Sequence, residues 1–317
     1  MRIKLSYLLI FLCLFILAFV FKKYQFFPYK IVHKIYLETS NHFYFSKNRN
    51  CLMSNNLGTD PNGKQDYTFF IAGHTFGSTK DTNLGMYPKF YKELINKKNI
   101  FDFGIFAGDV TREGDAKSFD FFDDQIKKLN LEIYIAPGNH DIGFTNKKEF
   151  LKKNRPYNIK KKKFIQRYKN LYQSFKFKND LFIILNPYES QWSIKSEQLE
   201  FLKKQLKNNY KLVDNIVIIT HPVIYINENF EVKPNNFLGA SKVWNFWDVI
   251  YPIIKKFNNN YYIVSGDVGA YSNANSLFCK KFENSLFLAT GMGGGIYDNY
   301  LVFKKVRNQL IIEVEKF

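Results

Sequence analysis

Side chains that can bind metal ions or transfer protons follow five apolar, strand-like runs of the sequence. These runs end in Gly73-His74, Gly108-Asp109, Gly138-Asn139-His140-Asp141, His221 and Gly266-Asp267. Aspartate, asparagine and histidine can coordinate divalent cations, and histidine also exchanges protons near neutral pH. The residue types and their placement therefore predict a site for metal binding or acid–base chemistry.

The elements that must position these residues alternate along the chain from Tyr67 onward. The predicted strands at issue are YTFFIA, FGIFA, EIYIA, LFIILN, NIVIIT and NYYIVS, with helix-like stretches between them. This alternation indicates an α/β architecture with buried strands. In open α/β sheets, ligands bind at the carboxyl ends of the strands. One Gly-Asp or His at such an end is usually a turn or a structural residue, but five in register predict a shared site.

Three of these motifs carry a resemblance to a known family. GDVTREGD at 108–115, GNHD at 138–141 and THP at 220–222, in this order and at strand ends, resemble the calcineurin-like metallophosphoesterases. The resemblance covers roughly Tyr67 to the carboxyl terminus. It implies a four-layer α/β (α+β) fold, in which two mixed β-sheets pack face to face between helices. It also implies a metal-dependent hydrolase whose substrate is a phosphomonoester or a phosphodiester.

Two motifs depart from the family pattern. The family opens with Asp-x-His and closes with Gly-His-x-His, whereas this sequence has AGH at 72–74 and GDVG at 266–269. When the metal ligands of the family are carried over to this sequence, one of the two metal positions retains only His74 and Asp109. The other position retains a complete set of donors, namely Asp109, Asn139, His221 and Asp267.

These departures predict one divalent cation that is bound tightly and a second that is bound weakly or not at all. An aspartate in place of an imidazole makes the donor set harder and more anionic. We therefore expect Mn²⁺, Fe²⁺ or Mg²⁺ to be preferred, although Zn²⁺ also suits these donors.

The resemblance implies roles for the remaining residues. His140 faces the substrate and protonates the leaving oxygen, while Asp141 holds the His140 ring by a hydrogen bond. His74 is either a residual metal ligand or a hydrogen-bond donor to the substrate. Arg112 lies just past Asp109 and is a candidate for bidentate binding of phosphate, with an ordinary surface arginine as the alternative.

A second function is compatible with the same sequence. A catalytically inactive protein could keep the fold for binding or assembly, and the loss of the first aspartate and the closing histidines favours this alternative. The joint retention of Asp109, Asn139, His140, Asp141 and His221 favours activity. The sequence therefore predicts an active phosphoesterase as the leading function.

The chain is predicted to consist of three segments. Residues 1–22 contain an uncharged apolar run, Leu5–Phe21, which is just long enough to span a bilayer, so we expect a single transmembrane helix that anchors the protein to a membrane. A cleaved signal peptide is the alternative, but no small-residue cleavage site follows. Residues 23–64 are expected to form a juxtamembrane linker, and residues 65–317 the metallophosphoesterase domain. Basic residues flank both ends of the apolar run, so the side of the membrane is not predicted.

Charge and cysteine content add little about partners. The net charge of +18 comes mostly from lysines spread along the chain, so we expect no nucleic-acid partner. The expected partners are the phosphoester substrate and the membrane, and the sequence does not predict an oligomeric state. Cys51 and Cys279 could pair if the domain lies outside the cytoplasm, but their spacing does not show that they meet.

Overall fold

The computed structural model describes residues 5–24, 29–56, 65–143, 156–190, 193–194, 196–236, 246–271 and 273–317. The chain divides into two compact units, Met1–Phe43 and Tyr44–Phe317. The first unit contains helix α1 (Leu5–Tyr24) and the beginning of helix α2 (Tyr29–Asn56). A search of the described residues finds no helix with both the length and the apolar character that crossing a bilayer requires. The structure therefore does not support the membrane anchor that we predicted at Leu5–Phe21.

The described part of the second unit contains eleven strands in two sheets. Their bounds are β1 Gln65–Ala72, β2 Phe103–Ala107, β3 Glu132–Ala136, β4 Gln173–Phe177, β5 Asp180–Ile184, β6 Asn215–Thr220, β7 Asn260–Ser265, β8 Leu277–Phe282, β9 Ser285–Thr290, β10 Asn299–Val306 and β11 Gln309–Lys316. The first sheet has the order β11-β10-β1-β2-β3 and the second the order β4-β5-β6-β7-β9-β8. Strands β1 to β3 are parallel, as are β5, β6, β7 and β9, whereas the other pairings are antiparallel. Both sheets are therefore mixed, as predicted.

Helices cover the outer faces of the sheets. Their bounds are α3 Pro88–Lys97, α4 Ala116–Leu129, α5 Asn139–Ile142, α6 Pro156–Tyr168, α7 Ser196–Asn209 and α8 Tyr251–Ile254, with a π-helical turn at Phe246–Ile250 before α8. In α4 the side chain of Asp115 caps the first turn by accepting a hydrogen bond from Ser118 N, and Asn130 ends the helix in the left-handed conformation. The same helix buries Phe119 and Phe122, which attach it to the first sheet.

The alternation of side chains along the strands creates three apolar layers. In β1, Phe69 and Ile71 belong to the cluster between the two sheets, while Phe70 belongs to the cluster under α3 and α4. In β6, Val217 faces the other sheet and Ile218 faces the outer helices. Because β1 and β6 are buried on both faces over most of their length, their sequences are mostly apolar. The predicted four-layer α/β arrangement is confirmed.

The second half of α2 forms part of the second unit. Cys51 and Cys279, whose pairing the sequence left open, form a disulfide that joins α2 to β8. Nearby, Asn48 Oδ1 accepts a hydrogen bond from the backbone of Cys279 at 2.9 Å. The Asn56 side chain exchanges two hydrogen bonds with the backbone of Ile312 in β11, at 2.8 and 3.1 Å. Residues 44–56, which we assigned to the linker, are thus a helical part of the same compact unit as the sheets.

A buried polar cluster joins the two sheets at the amino end of β1, β5 and β6. Lys305 Nζ in β10 lies 2.8 Å from Asp180 Oδ1 in β5 and 3.2 Å from Asp214 Oδ2. The hydroxyl of Tyr67 donates to Asp180 Oδ2, and Asn215 Nδ2 donates to Asp180 Oδ1 at 2.7 Å. The aspartate therefore receives hydrogen bonds from both sheets, which fixes their separation at this end.

Candidate metal centre

The two sheets come into backbone contact at the carboxyl ends of β1 and β7. A Cβ atom at Gly73 would lie 2.2 Å from the Cα of Gly266, and one at Gly266 would lie 2.0 Å from the carbonyl oxygen of Ala107. Only glycine permits such an approach. The residues that follow these strands, His74 and Asp267, are therefore brought towards the residues that follow β2, β3 and β6.

Asp109 lies at the centre of this region. It is fully buried, and both Asp109 and His74 adopt the left-handed backbone conformation, with φ of 55° and 52°. Non-glycine residues in this conformation concentrate at functional sites. Asp109 Oδ1 accepts a hydrogen bond from the backbone of His140 at 2.8 Å. Asp109 Oδ2 lies 3.0 Å from His221 Nε2 and 3.7 Å from His74 Nε2, so it stands between two imidazole rings.

The three strand-end histidines are held in the same way. Nδ1 of His74 is 2.9 Å from the carbonyl oxygen of Met292, Nδ1 of His140 is 2.7 Å from that of Arg112, and Nδ1 of His221 is 2.7 Å from that of Ala107. A carbonyl can only accept, so Nδ1 carries the proton in each ring. The Nε2 lone pair then remains for another partner, which is the usual arrangement of metal-binding histidines.

The donor atoms suit a divalent cation. Donor atoms of Asp109, His221 and Asp267 all lie within 4.8 Å of one another, as do those of His74, Asp109 and His140. Asp109 Oδ2 and His221 Nε2 are buried, lie 3.0 Å apart and have no further hydrogen-bond partner among the residues that the structure describes. Without a cation, one proton must lie between these two atoms. A divalent cation can replace that proton, so this pair of atoms fits a metal ion.

Asn139 and Asp267 lie beside this pair and are linked by a residue that the sequence did not indicate. Asn236 Nδ2 donates to Asn139 Oδ1 at 3.2 Å and to both carboxylate oxygens of Asp267, at 3.2 and 3.1 Å. The hydroxyl of Tyr188 also donates to Asn139 Oδ1 at 3.2 Å. Tyr188 follows β5, so the rule about strand ends could have identified it. Asn236 lies well beyond the end of β6 in the long loop that follows this strand, and no sequence signal marks it.

The electrostatics of the site follow from burial and from the close contact of opposite charges. Burial alone would lower the pKa of His221, but the carboxylates of Asp109 and Asp267 raise that pKa to about 9. Burial alone would raise the pKa of Asp109, but the nearby imidazoles hold it well below its usual range. Burial lowers the pKa of His74 to about 4, so this ring is neutral at physiological pH. A cation at Asp109 would therefore displace a proton from His221 and would meet His74 already neutral.

Asp141 does not have the role that we predicted. Its carboxylate accepts hydrogen bonds from Gly138 N at 2.9 Å, from Thr111 N at 2.9 Å and from Thr111 Oγ1 at 3.1 Å. The ring of His140 is held instead by the carbonyl oxygen of Arg112. Asp141 lies in the first turn of α5 and points back to the start of that helix, so it ties the loop after β3 to the loop after β2. The prediction that Asp141 orients the His140 ring is wrong.

Arg112 contributes its backbone to the site. Its guanidinium donates through Nη1 to the carbonyl oxygen of Asp81, and Nε lies 3.3 Å from Glu113 Oε1. These contacts direct the charged group to the loop at Asp81. Binding of phosphate by Arg112 stays a prediction.

The fold and the site agree with one family of known proteins. The family of calcineurin-like phosphoesterases is matched over residues 74–271, a span that contains every predicted site residue. The chain belongs to the calcineurin-like phosphoesterases.

The chain is also similar to one curated relative and to two solved structures. It is 29% identical over 146 residues to a probable glycerophosphodiester phosphodiesterase, GpdQ, of Arcobacter nitrofigilis. The match covers 44% of this chain and 49% of that protein. The chain therefore spans about half the length of this relative. Purple acid phosphatase PPD1 from yellow lupin, Lupinus luteus, has a TM-score of 0.57 at 14% identity, over 79% of this chain and 51% of that chain. A dimetal phosphatase from Danio rerio has a TM-score of 0.53 at 10% identity, and the match covers 80% of this chain and 97% of that chain. At these identities the likeness to the solved structures shows the shared fold.

Proposed function

We propose that this protein is a metal-dependent phosphoesterase that hydrolyses a phosphodiester. The observation that carries the proposal is the buried cluster of Asp109, His221 and Asp267, whose donor atoms all lie within 4.8 Å of one another. Membership of the calcineurin-like phosphoesterases supports the same reaction class.

Four residues would hold the catalytic cation: Asp109, Asn139, His221 and Asp267. When bound, a divalent cation of the Mn²⁺, Fe²⁺, Mg²⁺ or Zn²⁺ type would lower the pKa of its water and stabilise charge on the phosphoryl oxygens. Asp109 and Asp267 neutralise the charge of the ion, and the carbonyl oxygen of Ala107 keeps His221 in the tautomer that leaves Nε2 available.

A second cation would be bound weakly or not at all. Ala72 stands where the family has its first carboxylate, and it packs in the apolar cluster under the outer helices. Of the donors that the family has at that position, His74 and Asp109 remain, and His140 lies next to them. His74 is neutral and its Nδ1 already donates to Met292, so its Nε2 suits a weak ligand better than a donor to the substrate.

His140 would protonate the leaving oxygen. Its Nδ1 is fixed by the carbonyl oxygen of Arg112, and its ring is partly exposed where the neighbouring donors are buried. The remaining nitrogen, Nε2, is the atom that can carry a proton to the substrate.

A phosphodiester suits the charge of the site better than a phosphomonoester. The described residues at the metal centre include the carboxylates of Asp109, Asp141 and Asp267, and the Arg112 guanidinium is directed to Asp81 and Glu113. A diester carries one negative charge near neutral pH, whereas a monoester carries close to two, and the Arg112 guanidinium is not directed to offset the second charge. The name of the Arcobacter relative, a probable glycerophosphodiester phosphodiesterase, supports the same substrate class.

Removal of His140 tests this function through the leaving group. With Mn²⁺ present, we expect His140→Ala to lower kcat for a diester with a methyl or phenyl leaving group by roughly 10²-fold to 10⁴-fold. For a p-nitrophenyl diester the loss should be smaller, because this leaving group departs without protonation. His33→Ala, in the first compact unit, serves as the control and should match the native protein.

Two results would contradict the proposal. Equal losses with good and poor leaving groups would exclude His140 as the acid. If the native protein hydrolyses neither diesters nor monoesters faster than buffer alone, the result would favour an inactive member of the family.

A further inference from the structure

We propose that Asn236 supplies an additional oxygen ligand to the metal centre. The proposal deepens the phosphoesterase function proposed above and rests on its metal site. It concerns a residue that lies outside the motifs that carry the family resemblance.

The side-chain amide of Asn236 contacts two of the four assigned donor residues at once. Nδ2 lies 3.2 Å from Asn139 Oδ1, 3.2 Å from Asp267 Oδ1 and 3.1 Å from Asp267 Oδ2. All three oxygens are acceptors, and they point their lone pairs at one atom. The amide group of Asn236 is thus already inside the donor set.

The distances suit a ligand once the amide is reversed. A half-turn about the Cβ–Cγ bond of Asn236 exchanges Nδ2 and Oδ1 and places an oxygen where the nitrogen now lies. Neighbouring oxygens around an octahedral cation with bonds of about 2.1 Å lie about 3 Å apart. The separations from Asn139 and Asp267 match this value. A cation that binds the Asn139 and Asp267 oxygens removes their need for a hydrogen-bond donor, so it favours the reversed amide.

The loop is held in place by backbone contacts that do not involve the amide of Asn236. Asn235 N donates to the carbonyl oxygen of Asp267 at 2.9 Å, and Asn235 Oδ1 accepts from Ala270 N at 2.7 Å. Lys233 and Asn275 exchange two further hydrogen bonds, both of 2.8 Å. These bonds fix the position of the loop against the segment after β7, so the amide can turn without movement of the backbone.

A neutral amide oxygen also suits the charge of this centre. Asp109 and Asp267 already provide two buried carboxylates, which balance the charge of a divalent cation. An amide adds a hard oxygen donor without adding charge.

The test measures metal affinity without substrate. Chelator-treated protein is titrated with MnCl₂ by calorimetry, and the electron paramagnetic resonance spectrum of the bound Mn²⁺ is recorded. We expect Asn236→Ala to raise the Kd for Mn²⁺ by about 10-fold or more and to change the spectrum. Asn236→Asp keeps an oxygen donor and should bind Mn²⁺ at least as tightly as the native protein. Asn229→Ala, an exposed residue earlier in the same loop, is the matched control and should leave the Kd unchanged.

Each other outcome overturns the proposal. Unchanged or tighter binding by Asn236→Ala would show that the amide competes with the cation, and weak binding by Asn236→Asp would show that the residue acts through the fold. Thermal unfolding of each variant shows whether Asn236→Ala is folded. Because no substrate is used, the result is independent of catalysis. If Asp109→Asn binds Mn²⁺ like the native protein, the proposed site itself fails, whatever Asn236→Ala does.

Discussion

Asp109→Asn is expected to lower kcat/KM for diester hydrolysis by about 10³-fold or more and to weaken Mn²⁺ binding at least as strongly as any other single change. Asp109 is the buried carboxylate whose Oδ2 lies next to both His221 and His74. The substitution is nearly isosteric, and the amide oxygen can still accept the hydrogen bond from His140 N. The amide nitrogen can donate to His221 Nε2, which removes the lone pair that a cation would use. The loss therefore comes from the metal site and not from the fold.

The control for this variant is Asp124→Asn, on the exposed face of α4. The Asp124 side chain is 70% exposed and pairs with Lys127, so its loss should change neither kcat/KM nor Mn²⁺ affinity. Steady-state rates and calorimetric titrations of the two variants give the comparison. Native-like rates in Asp109→Asn would exclude the assigned centre.

Lys305→Met is expected to destabilise the folded protein by about 3–5 kcal/mol, which is the usual cost of removing one partner of a buried ion pair. Lys305 and Asp180 are both buried, and the hydrogen bonds of Asp180 reach both sheets. Without the ammonium group, the Asp180 carboxylate is left with neutral donors in an apolar surrounding. Urea unfolding followed by circular dichroism measures the change in the free energy of unfolding.

Lys304→Met, one residue earlier in β10, is the matched control. Lys304 pairs with Glu313 at the surface, and the two side chains are 33% and 41% exposed, so we expect a loss of less than about 1 kcal/mol. Adding Asp180→Asn to Lys305→Met should recover part of the stability, since the uncompensated charge is removed. Equal effects of the two lysine substitutions would contradict this account of the buried cluster.

The central strands could be predicted from the sequence because they are buried on both faces. YTFFIA and NIVIIT are mostly apolar and have clear boundaries, and the structure places β1 and β6 there. Strand β4, QSFKF, was not predicted, because it is a short edge strand with partly exposed side chains and an exposed lysine. The helix before it, α6, ends at Tyr168.

The part of helix α2 that belongs to the second unit was not predicted from the sequence, for a related reason. Its buried residues in the second unit are Phe45, Asn48 and Leu52, which are spaced as on one face of a helix but include a polar side chain. Such a narrow stripe is difficult to distinguish from a linker. The disulfide and the contacts of Asn48 and Asn56 that hold this segment join residues that are 228, 231 and 256 positions apart, so local sequence could not indicate them.

The rule about strand ends predicted which residues lie together at the candidate site, but it did not predict all of their contacts. It identified Asp109, Asn139, His221 and Asp267, because the residues after parallel strands meet at one edge of a sheet. The family resemblance assigned a different contact to Asp141 from the one that the structure shows, because hydrogen-bond partners depend on how two loops pack. Asn236 reaches the site through a loop fixed by tertiary hydrogen bonds, which no pattern in its own segment encodes.

The most direct test of the metal centre is an anomalous difference map from crystals of this protein soaked in MnCl₂. We expect one strong peak, within bonding distance of Asp109, Asn139, His221 and Asp267, and at most a weak second peak near His74. A strong peak that is bonded to His74 and His140 but not to Asp267, or two peaks of equal height, would contradict the account.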